Sequence, residues 1–155
     1  MLKYVDTRVT FAEVPDEISL CINLSNCPHK CRGCHSSYLQ KDTGIPLTES
    51  LLDAMVNEHK GITCVCFMGG DSDVVKLYHF ARIVHEKYEL KTAWYSGMTF
   101  TPKSQMAKYF DFIKVGPYME EKGPLNSKTT NQVFYAREGN TYKNVTYKFW
   151  KETEN

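Results

Sequence analysis

Three cysteines stand close together in the stretch NCPHKCRGC, where Cys27, Cys31 and Cys34 follow the spacing C-x3-C-x2-C. Thiolates bind metals and carry negative charge, so three of them in one short loop are tolerated only when a cation offsets that charge. The spacing therefore predicts a metal centre held by this loop.

Several metal centres fit three cysteines. Structural zinc normally takes four protein ligands, and His35 could supply the fourth, although it directly follows Cys34 and the two side chains would strain to reach one ion. Iron–sulfur electron carriers generally use four cysteines, which would require Cys21, Cys64 or Cys66. Cys64 and Cys66 alternate along an apolar segment, a pattern typical of buried thiols on one face of a strand. A [4Fe–4S] cluster held by three cysteines is the other possibility, and it leaves one iron open to a substrate.

The composition favours one domain that spans residues 1–155 and lies in the cytoplasm. The chain is 42% hydrophobic, and its 19 basic and 18 acidic residues give a formal charge of +1. This balance predicts neither a nucleic-acid partner nor a membrane surface. The N-terminal residues do not have the pattern of a secretion signal, and no apolar stretch approaches the roughly 20 residues that span a bilayer. Six cysteines in such a compartment favour metal ligands or buried thiols over disulfides.

The elements that must position the loop alternate between strands and helices. Residues 8–14 and 18–24 read as two strands, and the second delivers the chain into the cysteine loop. Thr48 is a plausible N-cap of a helix, and the apolar run 62–68 predicts a strand buried on both faces, hence a parallel sheet. A helix capped by Ser72 or Asp73 follows. The remaining segments predict a strand in KTAWYSG, a brief helix in TPKSQMAKYF, a strand in FDFIKVGPY and an aromatic hairpin from residue 132 onward.

This order predicts an α/β fold, specifically an incomplete, laterally open (β/α) barrel with a C-terminal β-hairpin. A full barrel of eight units usually needs about 250 residues, which is more than this chain of 155 contains.

A second motif, MGGDSD at residues 68–73, follows the buried strand, where parallel sheets bind ligands. Together the two motifs resemble those of the radical S-adenosylmethionine (radical SAM) superfamily, whose members bind S-adenosylmethionine (SAM) at the open iron of a [4Fe–4S] cluster. The resemblance implies that Gly69, Gly70 and Asp71 hold the methionine ammonium group. It also implies that Ser96, at the end of the next strand, lies near the ribose or the carboxylate of the same ligand.

Gly33 narrows the resemblance, because many radical SAM proteins have an aromatic residue before the third cysteine, where it touches adenine. A glycine there, within CPHKCRGC, resembles the activating proteins of anaerobic ribonucleoside-triphosphate reductases. We therefore include Gly33 among the residues expected to bind the cofactor. The similarity extends to FDFIKVGPYMEEKGPLN and to TTNQVFY, which contains Asn131 and Gln132. These two residues are equally well explained as turn residues before the hairpin.

The resemblance implies an enzyme that reductively cleaves SAM and installs a glycyl radical on its partner. The partner would be the glycyl-radical subunit of the reductase, and a donor such as flavodoxin would supply the electron. Two alternatives stay open at this point. One is the same chemistry on another substrate, such as pyruvate formate-lyase or a small molecule, and the other is a non-catalytic iron–sulfur or zinc module. The aromatic hairpin could dock the partner or cap the sheet edge.

Overall fold

The computed structural model describes residues 1–34 and 36–150. His35, the possible zinc ligand, and residues 151–155 lie outside the described residues. The strands are β1 Lys3–Thr10, β2 Ser19–Leu24, β3 Ile45–Pro46, β4 Cys64–Met68, β5 Lys91–Tyr95, β6 Phe112–Val115, β7 Val133–Glu138 and β8 Thr141–Asn144. The α-helices are α1 Glu49–Glu58 and α2 Val74–Ile83.

All eight strands form one open sheet in the order β3-β1-β2-β4-β5-β6-β7-β8. The four central strands, β2, β4, β5 and β6, are parallel, as the apolar run of β4 predicted. On one side, β1 pairs antiparallel with β2 and β3 pairs antiparallel with β1. On the other side, β7 pairs antiparallel with β6 and β8 pairs antiparallel with β7. The register places Cys21 beside Cys66 and Met68 beside Tyr95. The carboxyl ends of β2, β4 and β5 therefore meet at one edge of the sheet.

The predicted (β/α) barrel is wrong. Its units each require a parallel strand followed by a helix, whereas the described chain has only four parallel strands and two α-helices. The connection from β5 to β6 contains a short 3₁₀ turn, Ser104–Lys108, in place of a full helix. Antiparallel strands occupy both sides of the parallel core, so β3 and β8 remain edges and the sheet does not close.

The two helices cover one face of the sheet. Each begins where a side chain satisfies a free backbone N–H: Thr48 accepts from Leu51, and Asp73 accepts from Lys76. Their apolar sides pack on inward-facing residues of the parallel strands. This core includes Leu20, Ile22, Leu52, Val65, Phe67, Leu77, Trp94 and Ile113, all at most 1% exposed.

The opposite face buries the thiols of Cys21, Cys64 and Cys66, each 0% exposed and free of disulfide bonds. This confirms the interpretation of Cys64 and Cys66 as core residues. Burial raises the pKa of the Cys64 thiol far above its usual value, which keeps it neutral. Val14, from the segment between β1 and β2, and Phe134 of β7 cover these thiols.

The predicted C-terminal hairpin is present as β7 and β8, joined by a turn at Gly139. Its second strand is shorter than the aromatic pattern indicated. Asn144 Oδ1 accepts hydrogen bonds from the backbone N–H and the hydroxyl of Thr146, and the chain turns into a 3₁₀ helix at Thr146–Phe149. Among the helices of the described residues, none is long and apolar enough to cross a membrane.

Candidate metal centre

The cysteine loop leaves the carboxyl end of β2. Asn26 turns the chain with φ of +59°, a left-handed conformation that asparagine tolerates. The backbone N–H groups of Asn26 and Cys27 donate to Lys41 and Leu39, which ties the start of the loop to the segment that follows it. Cys34 N donates to the carbonyl of Cys31 at 3.3 Å and closes a turn between the second and third cysteines.

All three loop cysteines line one cavity of about 850 Å³, within the size range of small-molecule sites. The cavity lies at the carboxyl ends of the parallel strands, on the sheet face opposite the helices. Its other polar walls come from several separate segments. They include His29, Asp71, Gly97, Lys114 and Gln132, with Met68 and Tyr95 among the sheet residues beneath.

The loop thiols differ from the core thiols because they are only partly buried. Burial raises the pKa of Cys27, and the neighbouring Asp71, Cys31 and Cys34 raise it further as anions. A cation among the three sulfurs would reverse this effect. Within residues 1–34 and 36–150, no three His, Cys, Asp or Glu side chains are arranged to hold one metal ion. In a cluster site each cysteine binds a different iron, so its thiolates surround a group of atoms and need not meet at one point.

Asp71 is the best-connected side chain of the site. Its carboxylate is 2% exposed and accepts from His29 Nε2 at 2.7 Å, from Ser96 Oγ at 2.8 Å and from Gly97 N at 2.8 Å. A carboxylate has about four acceptor positions, and three are filled here. Asp71 thus joins the cysteine loop to the ends of β4 and β5.

The glycines expected to bind the cofactor have packing roles in the turn after β4. Gly69 and Gly70 have φ of +105° and +101°, which favours glycine. Gly69 lies at the cavity wall, and its carbonyl accepts from the indole N–H of Trp94 at 3.0 Å. A Cβ atom on Gly70 would come within 3.1 Å of Leu77, so close packing of α2 on this turn needs a glycine.

Ser96 and Gly33 lie at the site but outside the described lining of the cavity. Ser96 is fully buried, and its hydroxyl donates to Asp71 and accepts from the N–H of Met98. Gly33 is exposed, with φ of +75°, and a Cβ atom there would lie 3.1 Å from the side chain of Glu120. The assignment of these residues to the cofactor stays a prediction.

Lys114 is a residue of this site that the sequence analysis did not identify. It points from the middle of β6 into the cavity, is 8% exposed, and donates to the carbonyl of Gly116 at 3.1 Å. Burial lowers the pKa of Lys114 to about 8, although the negative charges of Asp71 and the loop cysteines oppose the shift. A lysine between apolar residues of a buried strand was the available signal.

His29 was also not identified, although it stands between the first two loop cysteines. Besides bonding Asp71, its ring packs against Gly97, where a Cβ atom would lie 2.5 Å from His29 Cδ2. Gln132 reaches the cavity with its side chain 3.5 Å from the carbonyl of Gly116, while Asn131 donates to the carbonyl of Pro117 at 3.0 Å. Gln132 therefore belongs to the cavity wall, and Asn131 holds a neighbouring turn.

The donor set fits an iron–sulfur cluster, because three free thiols and one buried cation face the same cavity. Comparison with protein-family models supports this chemistry: the model of the 4Fe-4S single cluster domain matches residues 18–134, which contain the loop and the parallel sheet. No curated protein matches the chain. No solved structure matches it either. The match covers most of the 155 residues, and the chain therefore belongs to the family of 4Fe-4S single cluster domains.

Proposed function

We propose that this chain is a radical SAM activating enzyme that installs a glycyl radical on an anaerobic ribonucleoside-triphosphate reductase. The observation that carries the proposal is the number of cysteines at the cavity. Cys27, Cys31 and Cys34 line it, whereas the other three thiols are fully buried within the sheet core. A cluster held by these three cysteines keeps one iron free of protein ligands.

The cavity has charges suited to an amino acid group near that iron. Lys114 offers a buried ammonium group to a carboxylate, and Asp71 contributes negative charge where an ammonium group would lie. Both face the cavity that the cysteines line. Opposite charges held in a partly buried site interact more strongly than they would in water. The methionine part of SAM carries both complementary groups.

When bound and reduced, a [4Fe–4S] cluster held by Cys27, Cys31 and Cys34 would supply one electron to break the bond between the sulfonium and the 5′ carbon of SAM. With a hydrogen atom taken from a glycine of the partner, the products would be methionine, 5′-deoxyadenosine and a glycyl radical. The electron comes from an external donor of the flavodoxin class. The protein's own residues hold the cofactor, fix its orientation and limit water.

The exposed outer wall of the cavity is suited to a macromolecular substrate. The outer cavity wall includes Phe11, which is 73% exposed, with Arg8 and Asp16 beside it. A glycine-bearing loop of another protein could enter along this side and meet the radical. The sequence resemblance to reductase-activating proteins favours the reductase as that partner over other glycyl-radical enzymes.

Electron paramagnetic resonance (EPR) tests the cofactor part of the proposal. The protein is reconstituted anaerobically with iron and sulfide, reduced, and measured with and without SAM. We expect a [4Fe–4S]⁺ signal that changes shape on adding SAM, and no such signal in Cys31→Ala. Cys64→Ala is the matched control, because Cys64 lies in the core, and it should keep the signal. A cluster indifferent to SAM would refute the proposal and leave a non-catalytic iron–sulfur module.

Mixing experiments test the partner. The reduced holoprotein and SAM are incubated separately with the anaerobic reductase and with pyruvate formate-lyase, and the glycyl radical is measured by EPR. A radical on the reductase alone supports the proposal. A radical on pyruvate formate-lyase alone would assign the same chemistry to another partner.

A further inference from the structure

We infer that Asp71 positions the cysteine loop and that it does so through His29. The imidazole Nε2 lies 2.7 Å from Asp71 Oδ2, and the exposed fractions of the two side chains are 25% and 2%. His29 belongs to the loop between Cys27 and Cys31, whereas Asp71 follows β4. This pair therefore connects the loop to the sheet across 42 residues of sequence.

Asp71 is itself held in place, which makes it a firm attachment. Ser96 Oγ donates to one carboxylate oxygen, and the backbone N–H of Gly97 donates to the other, which also bonds His29. Both donors are at the end of β5. A carboxylate that already accepts two charge-assisted hydrogen bonds loses little more freedom when it orients His29.

Gly97 makes the attachment possible. A Cβ atom at this position would lie 2.5 Å from Cδ2 and 2.9 Å from Cγ of His29, so any side chain would displace the ring. The φ of Gly97 lies outside the left-handed region that favours glycine. The room for the imidazole is thus the reason that this position needs glycine.

The other attachments of the loop cannot replace this one. The backbone hydrogen bonds of Asn26 and Cys27 lie at its start, and that of Cys34 stays within the loop. Arg32 Nε lies 3.6 Å from Glu120, but these side chains are 95% and 57% exposed, and pairs of this kind contribute little. Among the residues that the structure describes, His29 carries the connection from the first two cysteines to the buried Asp71.

The inference concerns assembly of the cluster and holds with or without SAM. It gives Asp71 a role distinct from the ammonium contact that the sequence resemblance implies. The cluster needs its thiolates in a fixed arrangement, and outer groups that orient ligands typically change metal affinity about 10-fold to 100-fold when removed.

The test measures how fast the reconstituted holoprotein loses iron to a chelator, with SAM absent throughout. In His29→Ala we expect iron loss about 10-fold faster than in the wild type. His29→Gln should restore most of the retention, because its side-chain amide places a donor at a similar distance. Gly97→Ala should match His29→Ala, since it displaces the ring and leaves both partners present.

His79→Ala is the matched control. His79 bonds Glu49 at 3.0 Å on the exposed surface of the two helices, away from the cysteines, and its removal should leave iron loss unchanged. Circular dichroism of each cluster-free variant confirms that it is folded. If Gly97→Ala does not fold, the two His29 variants decide.

Unchanged iron loss in His29→Ala, or equal loss in His29→Gln and His29→Ala, would overturn the inference. The result of this iron-loss test does not depend on whether the protein binds SAM. A cluster indifferent to SAM that still depends on His29 refutes the activase and keeps the positioning role. A SAM-responsive cluster that does not depend on His29 does the reverse.

Discussion

Lys114 places a positive charge where the three loop cysteines and Asp71 place negative charge. Lys114 is 8% exposed, and its ammonium group donates to the carbonyl of Gly116 at 3.1 Å. Its ring neighbour is Tyr95, whose centroid lies 5.6 Å from Nζ. A buried charge that lowers the stability of the fold is typical of a binding site, where a bound anionic ligand supplies further hydrogen-bond acceptors.

Lys114→Met should stabilise the cluster-free protein. The pKa falls from 10.5 to about 8 on folding, which corresponds to about 3 kcal/mol at pH 7. The unfolded chain binds the proton more tightly, so this cost is full below pH 8 and shrinks as pH rises toward 10.5. Urea unfolding should give Lys114→Met a free energy of unfolding about 1–3 kcal/mol higher than that of the wild type at pH 7. The difference should narrow by about 1 kcal/mol at pH 9.

Under the proposed function, the same variant should weaken SAM binding. More SAM would then be needed to change the EPR signal, while the cluster content would stay as in the wild type. Lys108→Met is a suitable control, because Lys108 lies in the 3₁₀ turn before β6 and not among the described residues that line the cavity.

Equal stability of the wild type and Lys114→Met at pH 7 would contradict the cost assigned to the buried charge.

At the scale of elements, the aromatic hairpin completes the core of the thiol-bearing face. Phe134 of β7 is fully buried and contacts the rings of Tyr95, Phe112 and Phe149. Tyr147, in contrast, is 55% exposed. The hairpin therefore covers the sheet through Phe134, whereas Tyr147, in the 3₁₀ helix after β8, lies on the surface.

Phe134→Ala should lower the free energy of unfolding by about 3–5 kcal/mol, the usual cost of a cavity left by a core aromatic residue. Tyr147→Ala, at an exposed position in the 3₁₀ helix after β8, should change it by less than about 0.5 kcal/mol. Both are measured by urea unfolding of the cluster-free protein. Similar losses in the two variants would show that the exposed surface also stabilises the hairpin.

A second connection between elements lies at the amino ends of the parallel strands. Asp111, just before β6, accepts from His85 at 2.7 Å, from Thr92 N at 2.9 Å and from Arg137 at 2.8 Å. Burial alone would raise the pKa of Asp111, but these bonds outweigh it and lower the pKa. The bond to Asp111 likewise raises the pKa of His85. Four elements are thus held together at the end opposite the cavity.

Asp111→Ala should destabilise the protein by about 1–3 kcal/mol at pH 5, because it leaves the buried N–H of Thr92 without its acceptor and removes the partner of the partly buried His85. The contribution of Asp111 is present above its ordinary pKa of 3.8 and is lost as pH falls below it. The stabilising contribution of His85 is present below its ordinary pKa of 6.5 and is lost as pH rises through the raised pKa of the folded protein. The difference from the wild type should therefore be larger at pH 5 than at pH 8.

Asp42→Ala provides the comparison for Asp111→Ala. Asp42 pairs with Lys3 at 2.8 Å but is 66% exposed, so its loss should change the free energy of unfolding far less than that of Asp111. A difference for Asp111→Ala that is the same at pH 5 and pH 8 would remove His85 from the explanation.

At the scale of the whole molecule, the amino ends of the parallel strands form the more tightly bonded end of the sheet, and the carboxyl ends form the cavity. The Asp111 network holds the amino ends of the strands, while the cysteine loop and the segment around Val14 enclose the cavity at the other end. Local stability in proteins follows buried contacts and hydrogen bonds. The cavity end should therefore gain most from a bound cluster.

Hydrogen exchange of the cluster-free and reconstituted protein tests this division. We expect slower exchange of the amides of residues 26–34 once the cluster is bound, and little change at Thr92 and Asp111. Cys31→Ala, treated in the same way, should show no difference between the two preparations. Uniform protection across the sheet would instead mean that cluster binding stabilises the chain globally.

The sequence by itself determined the features that depend on neighbouring residues. The spacing of Cys27, Cys31 and Cys34 predicted a metal centre, the resemblance of the motif favoured an iron–sulfur cluster over zinc, and the family match agrees with the cluster. Thr48 and Asp73 mark helix starts because a cap acts within one turn. The apolar run of β4 predicted a parallel sheet because a strand buried on both faces has no polar alternation.

Only the tertiary structure decided how distant segments meet. The open sheet depends on which strands pair at its edges, and the pairing of β1 and β7 with the parallel core is not encoded in their local patterns. The contact of His29 with Asp71, the room left by Gly97 and the position of Lys114 in the cavity follow from strand register. Register is set by burial over the entire sheet, which no short stretch of sequence contains.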